Sequence, residues 1–407
     1  MLIQFSTVES SSVDACALAL APHFGEAPID RDIARFQEAA RKEAEPARTL
    51  EQLGWAFVQK ARLSYDAGYY KLAEQCAICL ESKRANSAEG LLLRAHALNN
   101  LHRFKEAEEL ARELTAIRGL PIDYGVFGDS LMEQGRLDQA VETYQKMIDL
   151  KPGPQSYGRG AHIRWLKGDV AGAIELMRMA AKAGGPRDEA AAWAYAKLAL
   201  YALQAGALKM ALGACDAALE IQNDYAPALL AKGRVMLAEG MTSEAIEQLE
   251  HAAKLNPLPE YEWALADALR MAKRLDEALA VEASLEAKGA AADPRTFALY
   301  LATRGVGPET ALALAQQELN VRSDVFTLDA LACSLAAAGR HDEASSAMRR
   351  ALAEGTKDAR LFFHAGRIAA LTGDKKQARR WLAKAAAIKQ MLLPSEREQL
   401  LASVAAL

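Results

Sequence analysis

The chain is short of bulky rings: aromatic residues make up 6% of its 407 positions, while alanine fills about one in five. With so few large anchors, it has to bury its surface through many close, small contacts. Helix stacked on helix does this best, which argues against the two or three globular domains that the length alone suggests. Long apolar runs are missing too. The longest stretches without a formal charge, Ala15 to Gly25 and Leu198 to Leu208, fall well short of the roughly 18 residues that a membrane-spanning helix needs. Nor is there an excess of one charge: 49 basic against 53 acidic residues leave a net −4, which exerts no global pull on nucleic acid.

Cysteine is scarce and odd in number, at Cys16, Cys76, Cys79, Cys215 and Cys333, without a framework spacing. These read as reduced thiols or small buried hydrophobes. Cys76 and Cys79 form one CxxC, but a zinc site needs a second pair, so they read as packing residues on a helix. The seven histidines show no metal-ligand spacing. No metal and no cofactor are expected.

What the sequence does contain is self-similarity. Segments such as "GDSLMEQGRLDQAVE", "GRVMLAEGMTSEAIE" and "ACSLAAAGRHDEASS" recur, with turn positions at Gly68, His102, Gly135, Gly168, Gly206, Gly240, Lys273, Gly305, Gly339 and Gly373. Successive spacings are 34, 33, 33, 38, 34, 33, 32, 34 and 34 residues. That period is two short helices and two turns, and the run from Gly54 to Gln390 resembles the tetratricopeptide repeat. In each repeat the eighth position is small: Ala61, Ala95, Gly128, Ala161, Ala199, Gly233, Ala266, Ala298, Ala332 and Gly366. The twentieth is always alanine: Ala73, Ala107, Ala140, Ala173, Ala211, Ala245, Ala278, Ala311, Ala344 and Ala378. Helices A and B of a repeat pack antiparallel, and only Gly or Ala at the crossing lets their axes approach to about 8 Å.

Proline, about 3 kcal/mol unfavourable inside a helix, keeps to the repeat ends. Pro152 and Pro257 end a helix B; Pro121, Pro154, Pro227 and Pro259 open a helix A; Pro186 falls in the one longer linker and Pro308 in a turn. The fold class is therefore all-α: a right-handed superhelical solenoid of about ten antiparallel helix pairs with capping helices at both ends. Residues 1–28 show no convincing period and read as a disordered segment or the remnant of a signal. Residues 29–53 form an N-terminal cap, with Ile29, Ile33, Phe36 and Ala40 as its apolar stripe. The solenoid occupies 54–390. Residues 391–407 form a C-terminal cap, with a capping box at Ser395 and Glu398 and an apolar face of Leu400, Leu401, Val404 and Leu407.

Several runs, among them "SYGRGAHIRWLKGDVAGAIELMRMAAKAGGP" and "GTKDARLFFHAGRIA", resemble a bacterial, often exported, family of multi-repeat proteins. That resemblance implies export or a periplasmic location. The N-terminus argues the other way: its first basic residue is Arg31, and Asp14 spoils a lipoprotein-like Val13-Asp14-Ala15-Cys16, although Ala19-Leu20-Ala21 has the small-x-small form of a cleavage site. As written, the chain reads as cytoplasmic.

No catalytic residue emerges. Gly128-Asp129-Ser130-Leu131 spells a hydrolase motif, but it lies inside a helix A, and no histidine has Asp three positions before it to serve as the base. Gly153 to Arg159 lacks the Gly-Lys-Ser/Thr of a phosphate loop. Function in this fold usually lies on the inner surface, which helix A lines with its positions 2, 5, 9, 12 and 13. Candidate groove residues are Arg62, Tyr65, His96, Asn99, Asp129, His162, Trp165, Trp193, Arg234, Trp263, Asp267, Arg270, Phe363 and Arg367. Aromatics with charged neighbours suit an extended peptide or a helix from a protein partner. The carboxylate clamp of chaperone co-factors is absent, since its places hold Val58, Arg62, Leu93, Ile122 and Val126.

The sequence thus points to a non-catalytic protein-interaction scaffold, or alternatively to an accessory subunit that recruits substrate to a separate enzyme. A weaker reading is anion or RNA binding at a C-terminal basic patch, Lys375, Lys376, Arg379, Arg380 and Lys384, within a stretch from Arg340 to Lys389 carrying 12 basic and 5 acidic residues. Stacking aromatics other than Trp381 are scarce there, which disfavours nucleic acid.

Overall fold

The structure, a computed structural model, describes residues 14–185 and 189–407; residues 1–13 and 186–188, with Pro186 of the longer linker, lie outside them. Among the described residues there is no strand. The helices fall into two units, 1–119 and 120–407.

In the first unit, α1 (Ala15–Ala19) and α2 (Pro28–Lys42) precede two hairpins, α3 (Ala47–Ser64) with α4 (Gly68–Lys83) and α5 (Ala88–Asn100) with α6 (Phe104–Ile117). Over the residues read as the cap, α2 buries Ile29, Ile33 and Ala40, and α3 already begins at Ala47. Gln37 of α2 donates through Nε2 to the carbonyls of Ala19 (3.1 Å) and Ala21 (2.6 Å), fastening residues 19–21 onto the cap. The cysteine reading is corrected in part here: Cys16 and Cys79 form a disulfide across 63 residues, while Cys76 is a buried free thiol. Residues 15–19 are helical, so the lack of period over 1–28 concealed a short ordered element.

The second unit holds eight hairpins: α7 (Pro121–Glu133) with α8 (Leu137–Leu150), α9 (Pro154–Leu166) with α10 (Val170–Ala183), α11 (Glu189–Gln204) with α12 (Leu208–Ile221), and α13 (Ala226–Glu239) with α14 (Thr242–Leu255). They continue with α15 (Pro259–Met271) and α16 (Leu275–Ala292), α17 (Pro294–Arg304) and α18 (Pro308–Val321), α19 (Val325–Ala337) and α20 (His341–Ala351), and α21 (Ala359–Leu371) and α22 (Lys375–Ala387). A 3-10 turn at Lys389–Met391 leads into α23 (Pro394–Ala405).

Local chemistry accounts for the helix starts. Proline stands first in α7, α9, α15, α17, α18 and α23, where its missing N–H costs nothing. Asp169, Asp293, Asp324, Asp358 and Asp374 accept first-turn amides at α10, α17, α19, α21 and α22. Nine of the ten turn positions read from the sequence have φ between 58° and 82°; the exception is Gly68, where Tyr65 at φ 55° makes the turn instead. All ten alanines of the twentieth position are 0% exposed. Opposite them, a Cβ on Gly128 would lie 2.3 Å from the Tyr144 ring and one on Gly233 2.6 Å from Leu249. The crossings are therefore as tight as the small-residue register implies.

At the C-terminus the capping residue is Glu396 rather than Ser395 with Glu398: its Oε2 accepts the Leu393 N–H at 2.8 Å, because Pro394 starts the helix one residue early. Leu400 is buried, but Leu401 and Val404 are exposed.

The second unit closes on itself. Ser323, after α18, donates through N–H to the Glu133 carbonyl (3.1 Å) and through Oγ to that of Gln134 (2.7 Å). Thr356, after α20, donates to the Leu166 carbonyl at 2.5 Å, and Lys167 pairs with Glu354 at 2.6 Å. The turn glycines take part: a Cβ on Gly135 would lie 2.4 Å from the Ser323 carbonyl oxygen, and one on Gly168 2.3 Å from that of Gly355.

Candidate functional site

Closure brings the inner faces of the second unit around two features, a segment of the chain itself and a cavity. The segment is residues 389–397, between α22 and α23. Gln390 Nε2 donates to the carbonyls of Leu203 (3.1 Å) and Gln204 (3.0 Å) at the end of α11. Arg234 of α13 donates to the Met391 carbonyl at 2.9 Å, and Asp267 of α15 accepts the Ser395 N–H at 2.9 Å. Arg397 donates to the Leu237 carbonyl at 3.1 Å, and Arg360 of α21 pairs with Glu396 at 2.6 Å. Leu392 and Leu393 are buried. Consecutive repeats thus hold this stretch by one carbonyl and one amide of its backbone, and its own side chains reach back to the repeats.

Beside it lies a cavity of about 430 Å³. Trp165, Leu200, Tyr201, Leu299, Phe326 and Met391 form its apolar wall. The Trp165 ring stacks on Phe326 at 5.3 Å, and its Nε1–H donates to Gln204 Oε1. His162 Nδ1 lies 3.1 Å from the Tyr201 hydroxyl. Burial, assisted by Lys197, pushes the imidazole down to about 4, so it is neutral at pH 7. Most cavity charges are matched: Arg295 with Asp324 (3.3 Å), Arg234 with Glu260 (3.3 Å), and Asp329 with His364 (2.9 Å).

Other inner-face candidates are engaged elsewhere within the unit. Trp263 is 2% exposed, edge-on to Tyr300 at 5.6 Å and 4.6 Å beneath the Arg360 guanidinium. Phe363 is buried, with Arg367 5.6 Å over its ring. Arg270 holds Glu282. Asp129 accepts from Arg159 (2.6 Å) and from the Tyr144 hydroxyl (2.7 Å). Trp193 is partly exposed and packs over Gly158, away from the cavity lining.

In the first unit, Arg62 is exposed and its Nη2 lies 3.2 Å from His96 Nε2, whose ring is 5.3 Å from that of Trp55. Tyr65 caps α3, and Asn99 is half-buried on α5. Lys375, Lys376, Arg379, Arg380 and Lys384 are all exposed on α22, with the Lys384 ammonium 4.3 Å over Trp381.

With helix pairs, turn geometry and crossing register in place, the sequence profile of the tetratricopeptide repeat matches residues 126–188, 230–294 and 330–390. The chain is a tetratricopeptide repeat protein. No curated protein sequence matches it. Solved structures similar to this tetratricopeptide repeat protein include the human IFIT1 dimer with PPP-AAAA, at 13% identity and a TM-score of 0.49, covering 92% of this chain and 93% of that one. The APC/C hetero-tetramer Cut9-Hcn1 follows at 15% identity and 0.44, covering 92% and 76%, and MamA at 18% and 0.33, covering 40% and 93%.

Of the groove residues read from the sequence, His162, Trp165 and Arg234 line the cavity. Glu260, Arg295 and Phe326 also line it and occupy the same helix-A stripe, so their signal was present in this repeat protein. Lys197 sits one residue off the stripe, Asp324 and Asp358 cap helices, and Met391 follows the last hairpin; none of these carries a periodic signal. The hydrolase-like Ser130 is buried in α7, where its Oγ donates to the Val126 carbonyl at 3.0 Å.

Proposed function

We propose that this tetratricopeptide repeat protein is a non-catalytic scaffold that grips an extended segment of a protein partner by its main chain. The observation that carries this reading is the hold on residues 389–397. Arg234 donates to the Met391 carbonyl and Asp267 accepts the Ser395 N–H, so α13 and α15 hold the segment by its main chain, a mode indifferent to much of the bound sequence. The face offered to a partner is the helix-A surface of the first unit, with Arg62, Tyr65, His96 and Asn99.

Cross-linking and pull-down from native lysate, wild type beside an Arg62→Ala, His96→Ala variant, tests it. The double variant loses the partners that the wild type recovers; equal recovery sinks the assignment of that face. The exposed α22 cluster supports a secondary reading, an acidic or anionic partner. Its binding would fall steeply with salt, whereas a backbone-gripped peptide survives moderate ionic strength.

We also read the protein as exported rather than cytoplasmic. The support is the Cys16–Cys79 bridge, since disulfides persist in oxidising compartments. A thiol count on protein recovered from its native compartment checks this: three free cysteines support export, and five oppose it.

A further inference from the structure

One cation in the lining of the second unit's cavity has no ion-pair partner among the described residues. Lys197 lines it, yet among the described residues no carboxylate stands within ion-pair distance of its ammonium; Glu260 and Glu133 act on it only as more distant charges. Burial pulls its pKa down, as expected for a cation removed from water without a partner. The remaining acids of the lining are already engaged. Asp324 and Asp358 accept helix amides, Asp329 holds His364, Glu260 holds Arg234, and Glu133 faces Arg322 at 3.7 Å.

The other polar groups of the lining leave this role to Lys197. Trp165 Nε1–H can only donate, so it fixes the Gln204 amide with Oε1 toward the indole. The Gln204 Nε2 and the Arg234 Nε have no acceptor but are closed off from the cavity space, so the Lys197 ammonium is the cation left for a ligand there. The size is right as well: about 430 Å³ falls in the range of roughly 300–1,000 Å³ typical of small-molecule sites. The apolar and aromatic part of the lining is Trp165, Leu200, Tyr201 and Leu299, with Leu200 and Tyr201 one turn from Lys197 on α11.

We propose that this cavity binds a small organic anion, its carboxylate or phosphate held by Lys197 and its apolar body set against the Trp165–Tyr201 wall. The site lies within the second unit and is separate from the protein-partner face proposed on the first.

A matched set of probes tests it on the full chain by equilibrium titration: benzoate, phenyl phosphate and the neutral benzamide. Benzoate or phenyl phosphate binds saturably, with Kd below about 1 mM, and the tighter of the two identifies the headgroup as carboxylate or phosphate. Benzamide binds at least tenfold more weakly. Lys197→Gln loses at least tenfold in affinity for the anion, while Lys197→Arg, which keeps the charge, stays within a few-fold of wild type. If neither anion saturates, if benzamide binds as well as benzoate, or if Lys197→Gln binds like wild type, the proposal is overturned. Should Lys197→Gln fail to fold, the wild-type preference for anion over benzamide decides alone.

Discussion

Arg234, on the inner face of α13, donates a hydrogen bond of 2.9 Å to the main-chain carbonyl of Met391, 157 residues further along the chain. The guanidinium thereby ties the segment after the last hairpin to the middle of the second unit. Replacing it with methionine keeps most of the volume and removes the donor. Arg234→Met is expected to raise amide exchange across residues 389–396 selectively, leaving the α15–α16 hairpin protected; hydrogen exchange read by mass spectrometry measures this. Unchanged protection of 389–396 would show that the buried Leu392 and Leu393 suffice to hold the segment.

The same segment depends on pH through Asp267. Burial pushes this carboxyl up to about 6 from its ordinary 3.8, against the pull of the Ser395 N–H. A folded-state pKa above the unfolded one means that the native protein keeps its proton longer. The stability tied to that proton is complete below about pH 4 and is lost as pH rises toward and through about 6. The loss is bounded at about 3 kcal/mol, at roughly 1.4 kcal/mol per unit. Asp267→Asn keeps an oxygen to accept from Ser395 without the charge. Urea unfolding should find the variant more stable than wild type near pH 7.5 and level with it near pH 4.

Helix crossings give a prediction of the opposite kind. Ala245 is 0% exposed, facing Gly233 where a Cβ would already collide with Leu249. Ala245→Leu overpacks that crossing and should cost about 1–3 kcal/mol, visible as a lowered thermal midpoint. Ala140→Leu, against Gly128 and Tyr144, should behave alike.

Reduction should weaken the first unit. Cys16–Cys79 closes a long loop, and such a bridge typically contributes about 2–4 kcal/mol. Cys16→Ser, or wild type under dithiothreitol, is expected to free α1 first, read as earlier proteolysis around residues 15–25. Cys76→Ser should leave the redox response intact, since that thiol is unbridged.

Much of this fold could be read before any coordinates because the signals are local and repeated. Ala140 or Ala245 means little alone, but one alanine at the same place in ten repeats gives the register, and Gly135 or Gly240 gives the turn. Closure of the second unit was not legible. It depends on small rotations accumulated from α7 to α21, which no window of 34 residues contains, so Ser323 meeting Glu133 had no sequence signal. The Cys16–Cys79 bridge escaped for a related reason: 63 residues separate its ends, without a spacing rule to join them. Of the site, His162, Trp165 and Arg234 followed from the helix-A stripe, whereas Lys197 lies just off it and matters because of what does not pair with it.

In the sequence Gly135 and Gly168 read as ordinary punctuation, yet each also leaves room for a carbonyl arriving from the far end of its unit. An open stack can gain or lose a helix pair during evolution and keep its neighbours satisfied. The second unit has no such freedom. Inserting or deleting one hairpin would carry Ser323 and Gly355 past those two glycines, so the copy number of its repeats is locked by geometry, as the number of staves is in a barrel.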